Sequence, residues 1–197
     1  NVDIIHKGIG IKLLESELKK LYPNATIARF DGDNKKGESL DERYQELYNG
    51  KIDIIIGTQV VAKGIDLPKL NTVGVVQADT NLSLPDYTSE ERVFQLLSQV
   101  IGRVGRHGND SEVVIQSYQP NSIAIKTGIK QNYDEFYSYT LSQRKKNYLP
   151  PFTFLLRITC TYKTEAAAIK NSTKLLQILK LESSNKKISF FGPAPAF

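Results

Sequence analysis

Residues 1–120 alternate short apolar runs with segments of helical periodicity, which predicts strands and helices in turn. A helix is predicted over 9–21, and Pro23 ends it; the residues at helical spacing are Leu13, Leu14, Glu17, Leu18 and Leu21. Strands that alternate with helices predict an α/β fold with a mostly parallel sheet covered by helices on both faces. The predicted strands are residues 2–6, 25–30, 52–56, 72–77 and 112–117.

Two capping-box patterns predict the starts of further helices. The first, at 39–42, opens a helix that ends at Asn49-Gly50, and the second lies at 88–91. The helix after the second has an apolar face of Val93, Leu96, Leu97 and Val100, widened by Phe94 and Ile101. Ligands of parallel sheets bind beyond the carboxyl ends of the strands, so we expect the loops after 56 and 77 to meet the end of this helix there.

The second part of the chain departs from this alternation. Residues 121–147 read as helical, and Pro150-Pro151 is a break. After it, strands over 152–162 and 188–191 enclose a helix over 165–181, a unit too small to be comfortable alone. The tyrosines at 133, 137 and 139 are interpreted as side chains that pack within the protein. The alternative is that they stack on nucleic-acid bases. We predict an α/β lobe at 1–120, a helical linker at 121–149 and the start of a small α+β domain at 150–197.

Composition narrows the classes of protein that remain. Residues 1–100 carry 12 basic and 15 acidic side chains, whereas residues 101–197 carry 14 basic and 6 acidic ones. The basic part fits either a polyanionic partner or a solvated face. One cysteine, Cys160, excludes an internal disulfide framework and a multi-cysteine zinc site within this chain. No apolar run approaches the ~20 residues of a membrane span, so a cytosolic setting is expected. The absence of Met and the start at Asn1 indicate a piece of a longer chain.

The stretch GTQVVAKGID at 57–66 directly follows a predicted buried strand. Thr58 offers a hydroxyl and a backbone N–H to a phosphate oxygen at the end of that strand. Gly64 permits a tight turn, and Asp66 can hold a water, a ribose hydroxyl or an arginine. A plain turn with an Asx cap explains the same residues.

The stretch QVIGRVGR at 99–106 ends the apolar helix. Arg103 and Arg106 are three residues apart and would lie on nearly the same helical side. Two guanidinium groups suit a polyphosphate, which they bind bidentately without losing charge. Charges that complement the helix dipole are the alternative. We favour the polyphosphate, because Gly102 and Gly105 cost helix stability without a structural gain.

Together, the two stretches resemble motifs V and VI of superfamily 2 helicases. The resemblance implies that residues 1–120 form the second of the two RecA-like lobes of such an enzyme. ADTNLSLPDY at 78–87, ERVFQLLSQVIGRVGR at 91–106 and LPPF at 149–152 make the resemblance more specific. In that order they are similar to the C-terminal part of the PriA family (primosomal protein N′), the helicases of replication restart. The resemblance extends over nearly the whole chain.

The resemblance implies an ATP- and Mg²⁺-dependent 3′–5′ DNA helicase of the bacterial cytoplasm. It implies that such a helicase acts on branched, forked and single-stranded DNA, with primosome proteins and single-stranded-DNA-binding protein as partners and no membrane association. Arg106 matches the arginine finger and Arg103 its neighbour, while Gln99, Gly64 and Asp66 match residues near the nucleotide. Thr58, Gln59 and Lys63 match DNA contacts. Residues 150–197 match the start of the family's C-terminal domain, which implies a truncated DNA-binding domain. The zinc-binding cysteines of the family precede this segment, so no metal ligand is expected here.

Departures from the family pattern and a missing motif limit these expectations. Gly8-Ile9-Gly10-Ile11-Lys12 replaces a Gly-x-Gly-Thr-Glu segment, Ile65 replaces histidine and Val104 replaces alanine. GxxxxGK[ST] does not occur in the chain, so we expect it to be inactive alone although the full-length enzyme hydrolyses ATP. The alternatives are another superfamily 2 translocase, such as a RecG-like enzyme, and a catalytically inactive DNA-binding scaffold lobe.

Overall fold

The computed structural model describes residues 10–30, 42–57, 67–102, 104, 111–183 and 188–195 of this 197-residue chain. The chain divides into two compact units, Asn1–Asn147 and Tyr148–Phe197. The predicted strand over 2–6 lies outside the described residues. The described elements are α1 (Ile11–Leu21), β1 (Ile27–Phe30), α2 (Tyr44–Tyr48), β2 (Ile54–Gly57), β3 (Thr72–Val75), a 3-10 turn (Thr80–Ser83), α3 (Ser89–Ile101), β4 (Glu112–Ile115), α4 (Ile123–Lys130), α5 (Tyr133–Lys146) and α6 (Glu165–Glu182).

Strands β1 and β2 form a parallel pair, in which Ile27 lies opposite Ile54 and Phe30 lies opposite Gly57. The apolar side chains of this pair pack with Leu47 of α2. Helix α1 lies beside both strands, and Arg29 of β1 pairs with Glu15 of α1 at 3.2 Å. The cluster that stabilises this part of the unit contains Ala28, Phe30, Leu47 and Ile52, with Ile55 and Leu67 packed against it.

Strands β3 and β4 form a second parallel pair, with Thr72 opposite Glu112 and Val75 opposite Ile115. Helices α3, α4 and α5 supply most of the core beside it. The parallel α/β arrangement is therefore confirmed. In the described ranges, however, the strands form two two-stranded sheets rather than the one continuous sheet that we predicted. This core contains Ala78, Val93, Phe94, Leu97, Ala124, Ile125 and Phe136.

Of the two predicted capping boxes, the structure describes all the residues of the second only. Helix α2 is described only from Tyr44, without a side-chain cap, and residues 31–41 lie outside the described part. Helix α3 begins at Ser89, as predicted, but Thr88 makes no side-chain capping bond to it. The Thr88 hydroxyl instead donates to Asp86 Oδ1 at 2.8 Å, so the predicted capping box at 88–91 is wrong.

Residues 121–147 are helical, as predicted, but they form two helices. Gln131 separates them with a φ of +53°, and Asn132 begins α5 by accepting a hydrogen bond from the Glu135 N–H at 3.2 Å. Helix α4 packs on α3, and Ile125 and Phe136 belong to the same core. Both helices are therefore part of the first compact unit. The domain boundaries at 120 and 149 stay predictions.

The second unit contains the predicted helix but not the predicted strands. Helix α6 begins at Glu165, where the Thr164 hydroxyl accepts from the Ala167 N–H at 3.3 Å. Residues 152–162 and 188–191 form no strand, and Phe154 and Phe191 are exposed. A strand requires a partner to satisfy its backbone groups, and none is present in the described part of this unit. The predicted α+β domain is therefore not confirmed.

Candidate functional site

The structure describes one of the predicted site residues, Gln99. It is exposed near the C-terminal end of α3, between the buried residues Leu97 and Val100. The strand β2 ends at Gly57, directly before the first candidate stretch. The structure therefore shows which elements precede both stretches. The other predicted residues lie outside the described ranges: Thr58, Gln59, Lys63, Gly64, Asp66, Arg103 and Arg106.

Gly102 ends helix α3. Its N–H donates to the Ser98 carbonyl at 3.0 Å, and a Cβ atom at this position would lie 3.0 Å from that oxygen. A side chain would crowd the backbone there, so the glycine has a structural use that we did not predict. Helix α3 ends at Ile101. Arg103 and Arg106 lie outside the described residues, so their placement on one helical side and their predicted roles stay predictions.

Asp86 organises the N-terminal end of α3. Its Oδ1 accepts from the Thr88 N–H at 2.9 Å and from the Thr88 hydroxyl, while its Oδ2 lies 3.0 Å from Arg92 Nη2. The carboxylate thus bridges the turn before α3 to the first turn of the helix. A negative group at a helix N-terminus also interacts favourably with the helix dipole.

The apolar middle of α3 fixes the helix against two neighbours. The rings of Phe94 and Phe136 are parallel and stacked, with their centroids 4.3 Å apart. One turn later, Leu97 is fully buried and meets α4 at Gly128, where an added Cβ would lie 3.1 Å from Leu97. The exposed Gln99 therefore lies on a helix whose opposite side is packed.

A buried carboxylate joins the loops that follow β3 and β4. Both oxygens of Asp79 accept from the Tyr118 N–H at 3.2 Å, and the Ala78 N–H donates to the Gln116 carbonyl at 2.9 Å. These bonds hold together the carboxyl ends of two parallel strands, the edge where α/β proteins bind ligands. We assigned no role to Asp79 from the sequence, because its partner lies 39 residues away.

Comparison with known proteins gives the family. The model of the helicase conserved C-terminal domain matches residues 5–108, which include both candidate stretches. The chain belongs to the helicase C-terminal domain family. It is 41% identical over 194 residues to the replication restart protein PriA of Borreliella burgdorferi, covering 98% of this chain and 29% of that protein. It is 37% identical to PriA of Bacillus subtilis over 88% of this chain and 22% of that protein.

These relatives confirm the resemblance to the C-terminal portion of PriA. PriA of Haemophilus influenzae is 38% identical over 98% of this chain and 26% of its own length. The chain thus spans between a fifth and a third of the length of these relatives. The activity and partners of a whole protein are therefore matters for proposal.

Two further observations concern metals and membranes. No group of three or more His, Cys, Asp or Glu side chains that could hold a metal ion occurs in the described ranges. Across the same ranges, no helix combines the length and the apolar character that crossing a membrane requires.

The partly buried Glu90 gives α3 a pH-dependent contribution to stability. Burial raises the pKa of Glu90, and the charge of Glu91 raises it further. A carboxyl group whose pKa is higher in the folded state weakens the fold when ionised, and this penalty disappears as the pH falls below the usual glutamate range. We expect Glu90→Gln to raise Tm by about 2 °C or less at neutral pH and to have no effect near pH 4.

Thermal unfolding of the unaltered protein and of Glu90→Gln, from neutral pH to about pH 4, measures the difference in Tm. Glu165→Gln is the matched control, because Glu165 is also in the first turn of a helix but is exposed. The control should show no gain at neutral pH. A Glu90→Gln gain that stays constant down to pH 4 would contradict the role of ionisation.

Proposed function

We propose that this chain supplies the second RecA-like lobe of an ATP-dependent 3′–5′ DNA helicase that restarts stalled replication forks and initiates primosome assembly. The observation that carries the proposal is the family match over residues 5–108, which includes both motif-like stretches. The geometry of α3 supports it, because the helix is packed along one side and leaves Gln99 exposed just before the arginine stretch.

In this proposal, ATP binds between this lobe and another that carries the phosphate loop and the Mg²⁺ ligands. Gln99, the single described residue of the set, is exposed and can therefore reach a nucleotide. Arg106 neutralises charge on the γ-phosphate oxygens, and Arg103 lies beside it. Gly64 and Asp66 contribute near the nucleotide. ATP supplies the phosphoryl group, and these residues orient it and compensate its charge.

The same proposal assigns DNA contacts to the stretch at 57–66 and to the basic residues of 101–197. Thr58, Gln59 and Lys63 contact the DNA backbone. Residues 101–197 have a net charge of +8, which suits branched or single-stranded DNA. Primosome proteins and single-stranded-DNA-binding protein are the proposed partners in the bacterial cytoplasm. Zinc is proposed only for the region of the family that precedes this segment.

ATP turnover by two proteins tests the proposal: residues 1–197 alone, and the protein at the full length of its relatives. We expect DNA-stimulated turnover and unwinding from the full-length protein, and no measurable turnover from residues 1–197. Turnover by residues 1–197 would contradict the division of the site between two lobes.

The full-length protein also separates the alternatives. A full-length protein without zinc that still translocates on DNA would favour the RecG-like enzyme. One that binds DNA without hydrolysing ATP, and whose other lobe lacks GK[ST], would favour the scaffold lobe. Either result would replace the proposed function.

A further inference from the structure

An ion pair joins the first turn of α3 to the last turn of α5. Arg144 Nη2 donates to Glu91 Oε1, across 53 residues of sequence. Their side chains are only 17% and 27% exposed, so the pair is largely removed from water. The Arg144 guanidinium carbon also lies 4.9 Å from the ring centroid of Tyr87, within the range of a cation–π contact. Arg144 therefore holds both the helix and the turn that precedes it.

This contact differs from the other charge contact at the same end of the helix. Arg92 pairs with Asp86, six residues away, and its side chain is more than half exposed. An exposed pair between near neighbours contributes little to stability or orientation. Removing one partner of a largely buried pair leaves the other charge without compensation, which has a much larger effect. Of the two, the Arg144 contact is thus the one that constrains α3 relative to another helix.

Helix α3 connects the Arg144–Glu91 contact to the candidate site. Gln99 lies eight residues after Glu91, which is about 12 Å along a helix axis. Between them, Phe94 stacks on Phe136 of the same helix α5, and Leu97 packs at Gly128 of α4. The contacts at Glu91, Phe94 and Leu97 together set the orientation of α3 against α5 and α4, and the first of these contacts depends on Arg144.

We propose that Arg144 is a positioning residue for ATP hydrolysis. It acts through Glu91 and Tyr87 to set the orientation of α3, whose C-terminal end presents Gln99 and leads to the arginine stretch. Arg144 itself does not contact the nucleotide. This inference rests on the proposed function.

Arg144→Gln in the full-length protein tests the inference. We expect the kcat of ATP hydrolysis to fall about tenfold while KM for ATP changes less than about twofold. Misplaced arginines lose an interaction that is stronger in the transition state than in the ground state, which lowers kcat rather than raising KM. Arg144→Lys keeps the charge but loses the guanidinium contact with the Tyr87 ring, so its kcat should lie between that of Arg144→Gln and that of the unaltered protein.

Glu91→Gln, alone and combined with Arg144→Gln, tests whether Arg144 acts through Glu91. Both substitutions break the same pair, so the double variant should have nearly the kcat of Arg144→Gln alone. Additive losses in kcat would show that Arg144 does not act through Glu91 and would overturn the inference. Lys145→Gln is the matched control, because Lys145 is the next residue, is exposed and loses the same charge. Lys145→Gln should have the same kcat as the unaltered protein.

A merely structural role makes a different prediction. Arg144 would then lower Tm but leave kcat unchanged, once turnover is measured well below Tm and divided by the concentration of nucleotide-binding sites. That outcome, with turnover intact in the unaltered protein, would overturn this inference alone. An unaltered full-length protein without DNA-stimulated turnover would overturn the proposed function and this inference together.

Discussion

Arg106→Ala in the full-length protein should lower the kcat of ATP hydrolysis by about 10³-fold or more. In phosphoryl transfer, negative charge spreads over the equatorial oxygens of the γ-phosphate, and a guanidinium group from the second lobe compensates that charge. Alanine removes both the charge and the hydrogen bonds. DNA-stimulated turnover at saturating ATP measures the effect, and KM for ATP should change much less than kcat.

Two variants sharpen this prediction. Arg106→Lys keeps a positive charge but cannot bind two phosphate oxygens through a planar fork, so it should recover only a small part of the activity. Arg43→Ala removes an arginine that pairs with Glu46 on α2, and it should leave kcat unchanged. Near-normal turnover of Arg106→Ala would remove Arg106 from the proposed role and leave Arg103 as the candidate finger.

Local sequence patterns predicted the helices well where an apolar face repeats over several turns. Helix α3 begins at the predicted residue, and its buried side includes Val93, Leu97 and Val100. The cap of α3 was predicted wrongly because Asp86 and Thr88 both match capping chemistry, and the sequence does not show which side chain accepts. In the structure, the carboxylate of Asp86 accepts, and the Thr88 hydroxyl donates to it.

Contacts between distant residues could not be predicted from local patterns. Arg144 and Glu91 are separated by 53 residues, and Asp79 and Tyr118 by 39. The apolar residues of 152–162 predicted a strand, but β-propensity reports how well side chains fit a pleated surface and cannot supply a neighbouring strand. For the candidate site, Gln99 is exposed near the C-terminal end of α3, while its role and the arginine and threonine assignments stay predictions.

Leu97→Ala should lower the free energy of unfolding of the first unit by about 2–5 kcal/mol. Leu97 of α3 is 0% exposed and packs against Gly128 of α4. Its replacement by alanine leaves a cavity that the surrounding helices fill only in part. For a chain of this size, the loss corresponds to a fall in Tm of about 4–20 °C. Leu13→Ala on α1 is the control, because Leu13 is 57% exposed and its loss should cost less than about 1 kcal/mol.

Gly128 makes the cavity explanation directly testable. In the unaltered protein, a Cβ atom at Gly128 would lie 3.1 Å from Leu97 Cβ and Cδ1, so Gly128→Ala should destabilise the fold despite the higher helix propensity of alanine. Leu97→Ala removes Cδ1 and Cγ but keeps the Cβ atom 3.1 Å away. In that background, Gly128→Ala should therefore be less destabilising than in the unaltered protein. The double-mutant cycle should therefore give a coupling free energy of about 1 kcal/mol or more. Additive effects of the two substitutions would mean that Leu97 and Gly128 are not in contact, and that α3 is held against α4 by other residues.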